Sequence, residues 1–178
     1  VGSEMCIRDS SVSFDPKSGF IRSYRLRNVE LLAGPVRPNF YRAATDNDLG
    51  VRQTGKYPDS RMWAKAEPQL TGFALTPGDS EVKAVADYAI PAVGARLRLT
   101  YTVAADGSVR ISETMTADPA RKDVADQFHM KYVSPQESGT RSGLRWWRLT
   151  DDSGLGVEIC SDRHFSASAI PFAIPQLD

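Results

Sequence analysis

An all-β sandwich or barrel is the fold class this sequence predicts, and three observations carry it. Short strand-like runs separated by turns dominate the chain. Two pairs of such runs face each other across Gly-bearing turns. Signals for helix are thin. Strand-rich segments at roughly 8–12 residue spacing are the mark of antiparallel sandwiches and barrels.

The elements follow in chain order. The first ten residues, VGSEMCIRDS, show neither helical nor strand period. They lack the basic start and long apolar run of a secretory signal. They resemble the in-frame translation of a sequencing adapter, so residues 1–10 are expected to be a non-native scar and residues 11–178 the protein domain. Phe20 to Leu26 reads as a strand entered through the turn Asp15-Pro16-Lys17-Ser18-Gly19. Asp59 to Ala66 has room for a helical turn or two before Pro68 stops it. The clearest hairpin is RLRLTYTV–AADGS–VRISETM. In it Leu97, Leu99, Tyr101 and Val103 alternate with Arg96, Arg98, Thr100 and Thr102. Beyond Asp106-Gly107, Val109, Ile111 and Met115 alternate with Arg110, Ser112 and Thr114. Period two on both sides of such a turn predicts one buried and one solvated face. LRWWRLT–DDSGLG–VEIC predicts a second hairpin.

Composition excludes several classes. The 178 residues are 41% apolar and 25% charged, with formal net charge +0. That is one soluble domain of ordinary size. Without the first ten residues there remain 21 basic and 20 acidic groups, a net of +1. Such a balance gives no drive toward nucleic acid or an anionic membrane. No apolar run is long enough to span a bilayer. Cys160 is the single cysteine once Cys6 is set aside, so no internal disulfide is expected. With His129 and His164 it does not make a zinc ligand set.

Few residues suggest chemistry. The densest polar cluster is Arg42 to Asp48, followed by Leu49-Gly50. Asp46 and Asp48 would share a face of a strand. They could serve acid–base work on a glycosidic bond, supply half of a Ca²⁺ loop, or form an Asx turn capping local backbone. The turn is the preferred reading. Trp146 and Trp147 are adjacent, so a strand points them to opposite faces. Core or interface packing is expected of both, with a sugar platform as the alternative for one. Trp63 is ambiguous in the same way. Ser161-Asp162-Arg163-His164 holds three triad residue types, but adjacency in sequence does not build a triad, and the stretch reads as a loop. Gly154-Leu155-Gly156 lacks the rest of a dinucleotide fingerprint.

Longer motifs carry a resemblance. They include Phe14-Asp15-Pro16, Ser18-Gly19, Gly34-Pro35 and Pro38-Asn39-Phe40-Tyr41-Arg42-Ala43, the last running into Thr45-Asp46-Asn47-Asp48-Leu49-Gly50. Further along come Tyr132-Val133-Ser134-Pro135-Gln136-Glu137-Ser138-Gly139, Arg141, Arg145-Trp146-Trp147 and Phe165-Ser166-Ala167-Ser168-Ala169. In this order they resemble the C-terminal domain of the large bacterial β-galactosidases of glycoside hydrolase family 2, from about Ser13 to Asp178.

The resemblance implies a partial galactose-mutarotase-like β-supersandwich. It implies a retaining enzyme acting on terminal non-reducing β-D-galactosides. Both catalytic glutamates and the Mg²⁺ and Na⁺ ligands belong to an upstream barrel, so no catalytic and no metal residue is expected here. Asp46, Asn47, Asp48 and Gly50 are implied to position a loop at the mouth of that site. The barrel and further copies of the chain are the implied partners, and a bacterial cytoplasm or periplasm the implied location. The family carries several dozen more residues where Ala117-Asp118-Pro119-Ala120-Arg121-Lys122-Asp123 runs almost straight into Asp126, so an internal deletion is expected near 117–126. The chain also stops before a terminal Gly-rich stretch. The runner-up reading is a free-standing carbohydrate-binding or mutarotase-like domain, with His129 or His164 and Glu137 as nominal acid and base.

Overall fold

A computed structural model describes residues 4–7, 9–41, 60–117 and 141–167. Every regular element in them is a strand apart from two short 3₁₀ turns, so the fold is all-β. The strands form two four-stranded antiparallel sheets that pack as a sandwich, and a separate two-stranded hairpin.

The first sheet contains β1 (Glu4–Ile7), β2 (Ser10–Phe14), β3 (Ile21–Leu26) and β4 (Val29–Glu30), in that spatial order. β1 corrects one expectation from the sequence. Residues without strand period are in a strand, paired with β2 from Glu4↔Ser13 to Ile7↔Ser10. Ladder bonds come from the backbone, so an edge strand can pair without an alternating side-chain pattern. The predicted turn joins β2 to β3. The Asp15 carboxylate accepts from the Lys17 N–H at 3.1 Å and the Ser18 hydroxyl at 2.7 Å. These bonds, the Ser18 hydroxyl first, hold its pKa below the usual carboxylate value. Gly19 closes the turn at φ +72°, and a Cβ there would stand 2.8 Å from both Leu70 Cδ1 and the Tyr88 hydroxyl. Glycine is required for the backbone and for the space.

The second sheet is a meander of β5 (Gln69–Pro77), β6 (Glu81–Ile90), β7 (Ala95–Ala104) and β8 (Val109–Ala117). Its inner face is the core. Ala84, Ala86, Tyr88 and Ile90 alternate with solvated residues on β6, and Ala95, Leu97, Leu99, Tyr101 and Val103 do so on β7. The register sets small against large, Ala84↔Tyr101, Ala86↔Leu99 and Ile90↔Ala95, which lets the layer interdigitate. The β7–β8 turn is the one the sequence predicts. The Gly107 N–H donates to the Ala104 carbonyl at 2.9 Å, and Gly107 takes φ +89°. This is a tight turn followed by a left-handed bulge residue.

The two sheets meet through aromatic rings. Phe14 packs edge-on against Tyr101 at 5.1 Å and tilted against Phe73 at 5.7 Å, and Phe20 stacks on Tyr88 at 5.2 Å. The Tyr24 hydroxyl donates to the Gly107 carbonyl at 2.7 Å and ties β3 to the β7–β8 turn. Trp63 resolves as core, 8% exposed and 6.0 Å from the Phe40 ring. It lies in the 3₁₀ turn Ser60–Lys65, where the sequence predicts a short helix before Pro68.

Arg98 and Asp87 form a two-pronged ion pair on the solvated face, at 2.6 and 3.0 Å. Hydrogen bonds from Arg98 lower the Asp87 pKa. Exposed pairs of this kind contribute little. Replacing Asp87 with Asn is therefore expected to change stability by less than about 1 kcal/mol in urea unfolding at neutral pH. A larger loss would show that the pair organises the sheet.

The hairpin is β9 (Arg141–Thr150) and β10 (Gly156–Ala167), joined by the predicted turn. The Asp151 carboxylate accepts from the Ser153 N–H, the Ser153 hydroxyl and the Leu155 N–H, and Gly154 takes φ +82°. Trp146 and Trp147 point to opposite faces, as two consecutive strand residues must. Neither is fully buried; Trp146 is 60% exposed.

Candidate functional site

The sequence-selected cluster, Asp46, Asn47, Asp48 and Gly50, lies outside the described residues. So do His129 and Glu137. What can be built are the polar groups of the sheets and of the hairpin.

Most described carboxylates with a displaced pKa are held low by local bonds. Ser23 and two backbone N–H groups hold Glu30. Ser108 holds Asp106 at the hairpin turn. Arg148 holds Glu158, its Nε donating to Oε2 at 2.8 Å. Such groups are strong acids fixed as anions, suited to capping and pairing and not to proton transfer near neutral pH.

Glu113 is the described carboxyl that moves the other way. Desolvation raises its pKa. It stands on the core-facing side of β8, directly across from Leu99 and between Ile111 and Met115. Its side chain remains open to solvent on one side. A raised carboxyl could act as a general acid, but glycoside hydrolysis needs a second carboxyl facing it across a sugar. The described residues set apolar neighbours there instead.

On the hairpin, Arg148 lies 5.7 Å from the Trp146 ring while it pairs with Glu158. Cys160 is directly across from Trp146, its thiol 3.4 Å from Glu158 Oε1, and that bond raises its pKa. The opposite face is apolar, with Leu149↔Val157 and Trp147↔Ile159 as cross-strand pairs. Leu149 and Ile159 are 57% and 48% exposed. An arginine paired and stacked in this way covers part of an aromatic face and fixes its orientation.

Ser161 to His164 correct a second expectation. They are not a loop but part of β10, at an irregularity where Cys160↔Trp146 and Phe165↔Leu144 bracket them. Four residues of β10 thus stand against the single Arg145 of β9, and such an excess on one strand makes a bulge. All four are exposed, and the Ser161 hydroxyl accepts from the Arg163 N–H at 3.2 Å. Among the described residues no group of three or more His, Cys, Asp or Glu could hold a metal ion.

Fold and surface thus define a class, an all-β sandwich whose described polar groups serve turns, caps and ion pairs. Comparison with known proteins makes it particular. The family model described as Beta galactosidase small chain matches residues 7–124 and again 120–178, and the chain belongs to that family. A "Beta-galactosidase" of Priestia megaterium is 25% identical over 207 residues, covering 93% of this chain and 20% of that protein. One of Halalkalibacterium halodurans is 26% identical over 202 residues, covering 86% and 20%. One of Alteromonas mediterranea is 35% identical over 57 residues, covering 32% and 5%. The chain spans about a fifth of the length of the first two relatives.

Both longer alignments exceed what this chain contributes. Of 207 aligned positions only 93% of 178 residues take part, so roughly 40 positions of the relative have no counterpart here. The second relative gives a similar excess.

Proposed function

We propose that the chain is the C-terminal, small-chain part of a β-galactosidase cleaving terminal non-reducing β-D-galactosides by the retaining route. Its role is structural and site-shaping. The observation that carries this reading is the family match over both halves of the chain. The described carboxylates support the division of labour, because they are committed to local bonds or set among apolar neighbours. Catalytic glutamates, and Mg²⁺ and Na⁺, belong in this reading to the barrel portion of the full-length enzyme. Asp46, Asn47, Asp48 and Gly50 position a loop against that barrel, and the assembled enzyme is a homo-oligomer. In this reading residues 1–10 are an adapter scar, and an internal deletion lies near 117–126, the region where the two family matches, 7–124 and 120–178, overlap.

The test is turnover of a chromogenic β-galactoside. The chain alone is expected to give none. Added to the separately produced remainder of the Priestia megaterium relative, it is expected to restore hydrolysis. Turnover by the isolated chain would sink the reading. Binding of free galactose by the isolated chain in calorimetry would point to a stand-alone sugar-binding domain.

A further inference from the structure

We propose that one water molecule is bound inside the sandwich, where it bridges the hydroxyls of Tyr88 and Tyr101. The inference goes beyond the enzyme reading above and stands independently of it, on the packing of the core.

Among the described residues, these two hydroxyls are the buried side-chain polar atoms that make no hydrogen bond. Tyr88 is 2% exposed and Tyr101 1%. A buried hydroxyl without a partner is costly, and nearly all such groups in folded proteins are bonded to protein or to ordered water.

Register brings the two together. Tyr88 is across from Leu97 and Tyr101 across from Ala84, and the pair Ala86↔Leu99 stands between them on the same face. The point a Cβ of Gly19 would occupy is 2.8 Å from the Tyr88 hydroxyl and 3.2 Å from the Ala86 Cβ. The Tyr88 phenol therefore leans along the sheet over Ala86, toward Tyr101. Ala86 carries only a methyl group and Gly19 no side chain, so neither puts bulk beside the hydroxyl. Burial raises both phenols, and beyond that effect each hydroxyl acts on the titration of the other. They are neighbours that stop short of a direct bond.

Neither ring is free to turn toward another partner. Phe20 stacks on Tyr88 at 5.2 Å, and Phe14 meets Tyr101 edge-on at 5.1 Å. Both contacts come from the opposing sheet, so the hydroxyls are held where the layers meet.

Closure selects the occupant. Ala86, Leu97 and Leu99 beside the pair are 0%, 2% and 3% exposed, so a larger ligand has no entry while the sheets are packed. An ion would need a counter-charge, and neutral phenols supply none. Water can donate to one hydroxyl and accept from the other, and a buried water makes about two to four such bonds. Bridged in this way, both hydroxyls are satisfied and the aromatic layer keeps a single arrangement.

The test begins with a high-resolution crystal structure of the full chain. Density for one water is expected within hydrogen-bond distance of both hydroxyls. In solution, magnetic relaxation dispersion of water oxygen is expected to show one long-lived water fewer in the Tyr88→Phe/Tyr101→Phe double variant. Each single change is expected to lower the folding constant about fivefold, the size of one net hydrogen bond. The double change is expected to lower it by less than the product of the two, because both act on one bridge. Higher stability in both single variants would mean that the hydroxyls are simply unpaired, and would overturn the proposal. A direct bond between the hydroxyls with no density between them would overturn it too, as would equal numbers of long-lived waters in the chain and the double variant. The crystal structure requires no substitution and decides the matter even where a variant fails to fold.

Discussion

Phe14→Ala is expected to destabilise the protein by about 3–5 kcal/mol, the range for deleting a fully buried aromatic ring. Phe14 is 0% exposed and is the ring of the first sheet that touches two rings of the second, Phe73 and Tyr101. Truncation removes its burial and leaves a cavity between layers that close packing otherwise fills. Its neighbours Ile21, Phe73 and Tyr101 are held by their own ladders and have little freedom to collapse into it. Urea unfolding monitored by tryptophan fluorescence measures the loss. A shift of under about 1 kcal/mol would show that the sheets do not depend on this contact.

Alkaline pH is expected to unfold the domain through its buried tyrosines. Burial pushes the Tyr101 phenol up to about 12, and it pushes Tyr88 further in the same direction. In the unfolded chain a phenol titrates near 10. The fold therefore favours the neutral form. The stability this supplies is complete below the unfolded value and is lost as pH rises from about 10 toward the folded value. A two-unit displacement at Tyr101 corresponds to about 2.7 kcal/mol across that window. Urea midpoints are expected to fall above pH 10 while phenolate absorbance, followed in parallel, rises over the same range. Tyr101→Phe, which nearly conserves volume, is expected to flatten that fall. Ionisation of every tyrosine near pH 10 without loss of structure would contradict the placement of these rings in the core.

Alternation made the β7–β8 and β9–β10 hairpins legible, because a period of two with a Gly-bearing turn has few other solutions. Strand β3 and the turn before it were legible for the same reason. β6 was equally readable, with Val82, Ala84, Ala86, Tyr88 and Ile90 in period two, but the alanines weaken the contrast on which the pattern depends. β1 was not legible, since an edge strand is specified by its partner's backbone. The bulge at Ser161 to His164 was hidden as well. Four polar residues look like a loop, and only the pairs on either side of them show the strand continuing. The candidate cluster Asp46 to Gly50 was visible as a motif, but its role depends on groups that meet it in space.

The amino-acid pattern alone set the all-β class, the two hairpins with their turn glycines and the family, because each rests on local chemistry or on residues in linear order. The layering decided the rest. Leu99 and Ile111 look alike in an alternating strand, yet one is buried and the other half-exposed. Alternation says which face of a sheet a side chain joins, and only the opposing layer determines whether anything covers that face.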